Sequence, residues 1–241
     1  MDPEGAARAS ADVIVNLPAG FMFDPATYAY GGELGFDGID FYTAGRGGAL
    51  GDVDGSVVAA AFVFFNPAWV RASWARARAV MAPRSSTEAF THCLTTWADA
   101  HLGDGVDYGR LAHLAGRVVS GASVACAPLF AAWQSMPEPD GPKGVALHRM
   151  NLLRELRGAA HGASVLGAGL EPLEAVLVRA PFMAGILGWE EPYPEVTSCA
   201  ETWEQAEQAT NRVVGRAFAA LEPGELNEIV ELMVAAQTGA H

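Results

Sequence analysis

Apolar side chains recur at three- and four-residue intervals along most of this chain, the spacing that lines one face of an α-helix. Val57, Val58, Ala61, Phe62 and Phe65 mark a helix over 54–65, with Asp54 placed to cap it. Asn66-Pro67 breaks that pattern and opens another over 67–81, where Trp69, Val70, Trp74 and Ala77 share one side and Arg71, Arg76 and Arg78 lie elsewhere. Asp24-Pro25 starts a short helix over 26–33, and Ser86, after a turn at 83–86, caps one over 87–102. The same period returns over 145–166, 171–179, 181–187, 199–220 and 225–236. The longest run, 108–133, is apolar almost all round, which predicts a central helix that Gly121 and Pro128 can interrupt. Two stretches read differently. Residues 1–20 form a loose lead-in, where Pro18-Ala19-Gly20 stops a short helix over 6–15. Residues 39–44 fit a strand as well as a helix.

Residues 137–144 (P-E-P-D-G-P-K-G) are the clearest linker. They separate a first helical half, 21–136, from a second, 145–241, and the halves echo each other. Residues 46–51 read R-G-G-A-L-G and 157–162 read R-G-A-A-H-G, so the arginine, two glycines and an alanine coincide. In each half a helix, a proline break (Pro67, Pro181) and a tryptophan-bearing segment (Trp97, Trp203) follow. The expected fold is mostly α, with two pseudo-repeated, winged-helix-like halves packed together. Chance similarity in an Ala- and Gly-rich chain is the competing explanation.

Composition narrows the function classes. Hydrophobic residues make up 51% of the 241, enough for a sizeable core. The formal net charge is −13 and Lys143 is the single lysine, so arginine supplies nearly all the positive charge. Nucleic-acid binders draw most of their affinity from basic contacts to phosphate, so DNA is not an expected partner. No apolar run spans a membrane and no secretory leader pattern opens the chain, which makes the cytoplasm the default compartment. Cys93, Cys126 and Cys199 are odd in number and widely spaced, and read as reduced core residues.

The chemistry concentrates in L-L-R-E-L-R-G-A-A-H-G, residues 152–162. On a helix, Arg154, Arg157 and His161 share one face, and His148, Asn151 and Glu155 share another. Gly158 and Gly162 clear space beside His161 for a ligand or a neighbouring helix. His161 is the candidate acid/base and Glu155 a candidate catalytic carboxylate, with Glu174 or Glu207 able to orient the histidine from outside the segment. Arg46, Arg154 and Arg157 are candidate anion anchors, Phe65, Trp69 and Trp74 candidate walls, and Glu207 and Asn211 candidate polar contacts. The competing reading is a buried Arg–Glu pair that ties two helices, with His161 as a core histidine.

Other templates fail. The glycine cluster at 45–51 would need its third Rossmann glycine at position 50, which is Leu50, and no G-K-[ST] follows, so close helix packing is the better reading. No H-E-x-x-H, C-x-x-C or G-x-S-x-G occurs. His92, His101 and His113 are scattered, so neither a metal nor a cofactor is expected.

Five segments together resemble the SalK-type helix-turn-helix family of actinobacterial proteins. They are Y-x-A-G-R-x-x-x-L-G (42–51), F-x-N-P-x-x-V (64–70), L-R-E-x-R-G-x-x-H-x-A (153–163), G-W (188–189) and E-x-x-T-N (207–211). The resemblance covers roughly residues 30–220 and transfers no settled activity. Some members sit in natural-product gene clusters, which implies a role in secondary metabolism. The chain departs from the family pattern at Leu156 and Ala159, where a histidine and an aspartate are usual, and 188–195 is short for a wing.

The reading that results is a small-molecule-binding protein, a cofactor-independent tailoring enzyme using acid/base chemistry in a pocket between the halves. A transcription regulator and a non-catalytic carrier are the alternatives. The expected partner is a small organic molecule, optionally with a second copy of the chain in a homodimer.

Overall fold

Prolines set most of the helix starts. In the computed structural model, which describes residues 1–240, the chain forms 13 α-helices and no strand among those residues. In order they are α1 (Pro3–Ala9), α2 (Ala11–Phe23), α3 (Pro25–Glu33), α4 (Asp40–Gly47), α5 (Gly55–Phe62), α6 (Pro67–Val80), α7 (Pro83–His101), α8 (Tyr108–Gly121), α9 (Pro128–Trp133), α10 (Pro142–Gly167), α11 (Pro172–Arg179), α12 (Ala200–Phe218) and α13 (Pro223–Thr238). Eight of the thirteen begin on proline, whose fixed φ suits the first turn and whose missing N–H costs nothing there. Asp24, Asp54 and Asn66 each accept backbone N–H bonds at the start of α3, α5 and α6.

The central element is α10, not the 108–133 run. That run splits into α8 and α9 because Gly121 ends one helix and Pro128 can only start the next. Helix α10 packs against α2, α7, α8, α9 and α12 and is buried on almost every side over its middle turns. One apolar cluster joins Phe41, Trp74 and Phe90 from before the 137–144 stretch to Leu147, Leu153 and Met233 after it. Helix α4 lies against α6 and α7. Gly45 and Gly48 permit this: a Cβ on either would collide with Phe90 or with the Pro83 carbonyl.

Three local expectations change. Residues 1–20 are not a loose lead-in, because α1 packs on α12 and α2 runs through Pro18 with Val13, Ile14, Leu17, Phe21 and Met22 buried. Burial of that apolar face outweighs the backbone bond that Pro18 cannot make. Residues 40–44 are helical and Ile39 precedes the helix, with Asp40 turned inward to Ser73 and Arg76 instead of alternating across a sheet. The predicted turn at 83–86 is the first turn of α7, with the Ser86 hydroxyl bonded back to the Ala82 carbonyl rather than capping. No β-wing forms among the described residues, and 184–196 is largely irregular. Among the described residues, no helix is long and apolar enough to cross a membrane.

Candidate functional site

Helix α10 carries its polar residues on two faces with different partners, and Arg154, expected beside Arg157 and His161, bonds to Glu155 instead. On the first face Glu155, whose side chain is 1% exposed, accepts a bidentate pair from Arg46 Nε and Nη2, both at 2.8 Å. Arg154 Nη1 donates to the same carboxylate at 3.1 Å. Burial opposes ionisation of Glu155, but Arg46 and Arg154 outweigh it and hold the carboxyl below its ordinary range. Arg46 sits at the C-terminal end of α4, its guanidinium 4.5 Å from the Phe62 ring, and its own carbonyl accepts from Trp133 Nε1 at 3.1 Å. The pair thus clamps α4 to α10. One and two turns deeper on this face, Asn151 and His148 are fully buried, and neither the Asn151 amide nor His148 Nδ1 has a protein partner.

The second face meets α12. Arg157 Nη1 donates to Asn211 Oδ1 at 2.9 Å and Nη2 donates to Glu207. His161 Nδ1 lies 3.0 Å from the Thr210 hydroxyl and 3.5 Å from Glu207 Oε2. Thr210 spends its one hydroxyl proton on the Ala206 carbonyl, at 2.8 Å, so toward His161 it can only accept. That assigns the proton to Nδ1 and leaves Nε2 as the basic nitrogen. Burial, helped by Arg157, pushes the His161 pKa down to about 4, so the ring is neutral near pH 7. Phe64 and Trp203 flank the ring at 5.4 and 6.0 Å between centroids.

A cavity of about 580 Å³ opens on the first face. Gly158, Ala159, Gly162 and Ala163 of α10 form one wall, and Ala59, Phe62, Val63 and Phe64 form the opposite one. Leu129 and Pro128 of α9, Leu166 and Pro172 close the sides, and the buried Arg46 and Glu155 line it. Gly158 leaves it open, because a Cβ there would meet nothing within 4 Å. Its volume falls in the range of small-molecule pockets, and its walls are apolar with few polar groups.

The sequence-selected residues divide between these places. Arg46 and Glu155 reach the cavity. His161, Arg157, Glu207 and Asn211 form a separate network behind Phe64, with Glu207 rather than Glu174 as the carboxylate beside His161. Glu174 is committed to the N-terminus of α11. Phe65, Trp69 and Trp74 do not line the cavity; Phe65 stacks between Tyr42 and Trp69, and Trp74 Nε1 bonds the Val53 carbonyl. Phe62, Val63, Phe64, Arg71 and Cys126 line it instead. Val63 leaves α5 at φ 43, which ends the helical phase that would keep Phe65 on the face of Phe62. Only the Phe-x-Asn-Pro motif hinted at Phe64. Among the described residues, no three His, Cys, Asp or Glu side chains stand close enough to hold a metal ion.

The five motif segments meet in this region. Arg46 joins Glu155, and Arg157 and His161 join Glu207, Thr210 and Asn211. Trp189 Nε1 donates to the Phe64 carbonyl at 2.9 Å, and Gly188 lies against Trp69. Of the two positions where the sequence departs from the motif pattern it resembles, Ala159 lines the cavity and Leu156 is in the core. Compared with known families, residues 7–197 match the helix-turn-helix family. No curated protein and no solved structure matches the chain.

Proposed function

We infer that this chain, which belongs to the helix-turn-helix family, is a small-molecule-binding protein whose ligand occupies the cavity between α5, α9 and α10. The observation that carries this reading is Gly158. In the middle of a 26-residue helix a glycine costs about 1 kcal/mol relative to alanine, and no neighbour needs the space it leaves. That space belongs to the cavity. A tailoring reaction in secondary metabolism is a narrower version of the same reading. Its acid/base residue, His161, stands behind Phe64, so turnover requires that ring to swing aside, whereas binding does not.

The test uses N-phenyl-1-naphthylamine, a neutral apolar fluorophore. The expected result is saturable fluorescence with the native protein and none with Gly158→Leu of unchanged circular dichroism. Equal binding by both proteins overturns the reading.

A regulator reading draws on the family and on one segment. Helix α5, the four residues 63–66 and α6 have helix-turn-helix spacing. On α6, however, Arg76 is paired with Asp40 and Arg78 with Asp52, which leaves Arg71 for a phosphate. A salt-sensitive shift of duplex DNA in a gel, lost in Arg71→Gln, is the result that favours it.

A further inference from the structure

We propose that the cavity selects an amphipathic organic anion and that Arg71 binds its charged head; this rests on the cavity being a ligand site. Three charged residues line the cavity: Arg46, Glu155 and Arg71. Nε and Nη2 of Arg46 are both spent on Glu155, which also accepts from Arg154, so this buried cluster has few donors left to offer a ligand. Arg71 makes no hydrogen bond or ion pair among the described residues, is exposed and lines the cavity, so its guanidinium is free to take a ligand there.

Its position is fixed by packing. The start of α5 closes on α6 at Gly55, where a Cβ would lie 3.4 Å from the Arg71 Cα. The arginine stem therefore emerges beside Ser56, the polar residue that α5 adds to the lining. Asp54 lies near enough to feel the charges of Arg78 and Arg71 but forms no ion pair with Arg71. Asp54 accepts from the Ser56 amide at 2.8 Å, and Asp52 pairs with Arg78 at 2.5 Å.

Apart from Arg71 and Ser56 the lining is alanine, glycine, phenylalanine, valine, leucine and proline, with Cys126 and the Arg46–Glu155 pair. A fully polar anion would lose its hydration there without replacement. An apolar body with a single carboxylate or sulfonate meets both requirements: burial of the body, and a forked donor for the head. Arg71 is thus a specificity residue for charge, while Gly158 and its neighbours set size.

A matched pair of probes separates these roles. 8-Anilinonaphthalene-1-sulfonate has the ring system of N-phenyl-1-naphthylamine plus one sulfonate. Fluorescence titrations would compare the native protein with Arg71→Gln, Gly158→Leu and Arg76→Gln, the last a control whose guanidinium pairs with Asp40 away from the lining. The expected result is that Arg71→Gln weakens the sulfonate probe about threefold to tenfold and leaves the neutral probe unchanged. Arg76→Gln should leave both unchanged, and Gly158→Leu should abolish both. If Arg71→Gln binds the sulfonate as tightly as the native protein while Gly158→Leu does not, the anion assignment falls and the cavity reading stands. If neither probe binds the native protein, or Gly158→Leu binds both, the cavity reading falls and takes this inference with it.

Discussion

Gly162 and Val63 are shaped to each other: a Cβ built on the glycine would lie 2.7 Å from Val63 Cγ1. Val63 itself holds φ 43 and ψ −66, a positive-φ conformation that costs a β-branched residue on the order of 1–3 kcal/mol. The end of α5 is pressed into α10 at this point, and the cavity wall turns there. Gly162→Ala should therefore destabilise the protein by about 1–2 kcal/mol despite its better helix propensity. In a Val63→Gly background the same change should cost less, because the clash is gone. Urea unfolding of the four proteins in the cycle measures the coupling.

Gly158 is one turn away and predicts the opposite sign. Alanine there meets open space, so Gly158→Ala should raise stability by about 0.5–1 kcal/mol. Thermal unfolding of Gly158→Ala and Gly162→Ala, side by side, checks whether helix propensity or packing decides each position.

Glu155 should be the most sensitive polar position. Glu155→Gln leaves the Arg46 guanidinium buried with a neutral partner, and removing one side of such a pair costs about 3–5 kcal/mol. Arg46→Met combined with Glu155→Leu should recover part of that loss, since neither residue then carries a buried charge, while Arg154 loses the carboxylate it shares. Chemical denaturation of the single and double variants decides between a pair kept for stability and one kept for the site.

Burial holds both His148 and His161 neutral down to about 4, against an ordinary value of 6.5. Below pH 6.5 the unfolded chain binds protons that the folded protein refuses, so stability falls with falling pH. Between pH 7 and pH 5 the loss should be about 2 kcal/mol for each histidine. His148→Gln should flatten the pH dependence of unfolding by one such share. An unchanged slope would show that this ring charges without opening the core.

Much of the helical layout was legible because its signals are local. Asp24-Pro25, Asp54 and Asn66-Pro67 cap or start helices through atoms two or three residues away, and each does so here. Arg154 aside, the two polar faces of α10 also follow from spacing, as Glu155 and His161 show by facing different neighbours. The cavity was less legible. Phe64 and Phe65 are adjacent and both aromatic, and only the reversal at Val63 sends one to the cavity and the other to the core. Arg71, Arg76 and Arg78 look alike along α6 until the positions of Asp40 and Asp52 distinguish them.

By itself, then, the sequence determined an α-helical chain, its main helix starts and the composition of its polar faces, because capping, proline geometry and periodicity act within a few residues. The tertiary structure alone decided which helix is central. Residues 108–133 are the more apolar run, but α10 has close neighbours all around it, including α2, whose proline predicted a stop. It also decided what the glycines and the histidine of 152–162 do. Gly162 admits Val63, Gly158 opens the cavity, and His161 turns to α12 behind Phe64. Those outcomes depend on contacts between segments far apart in the chain, and local pattern carries no record of which segments meet.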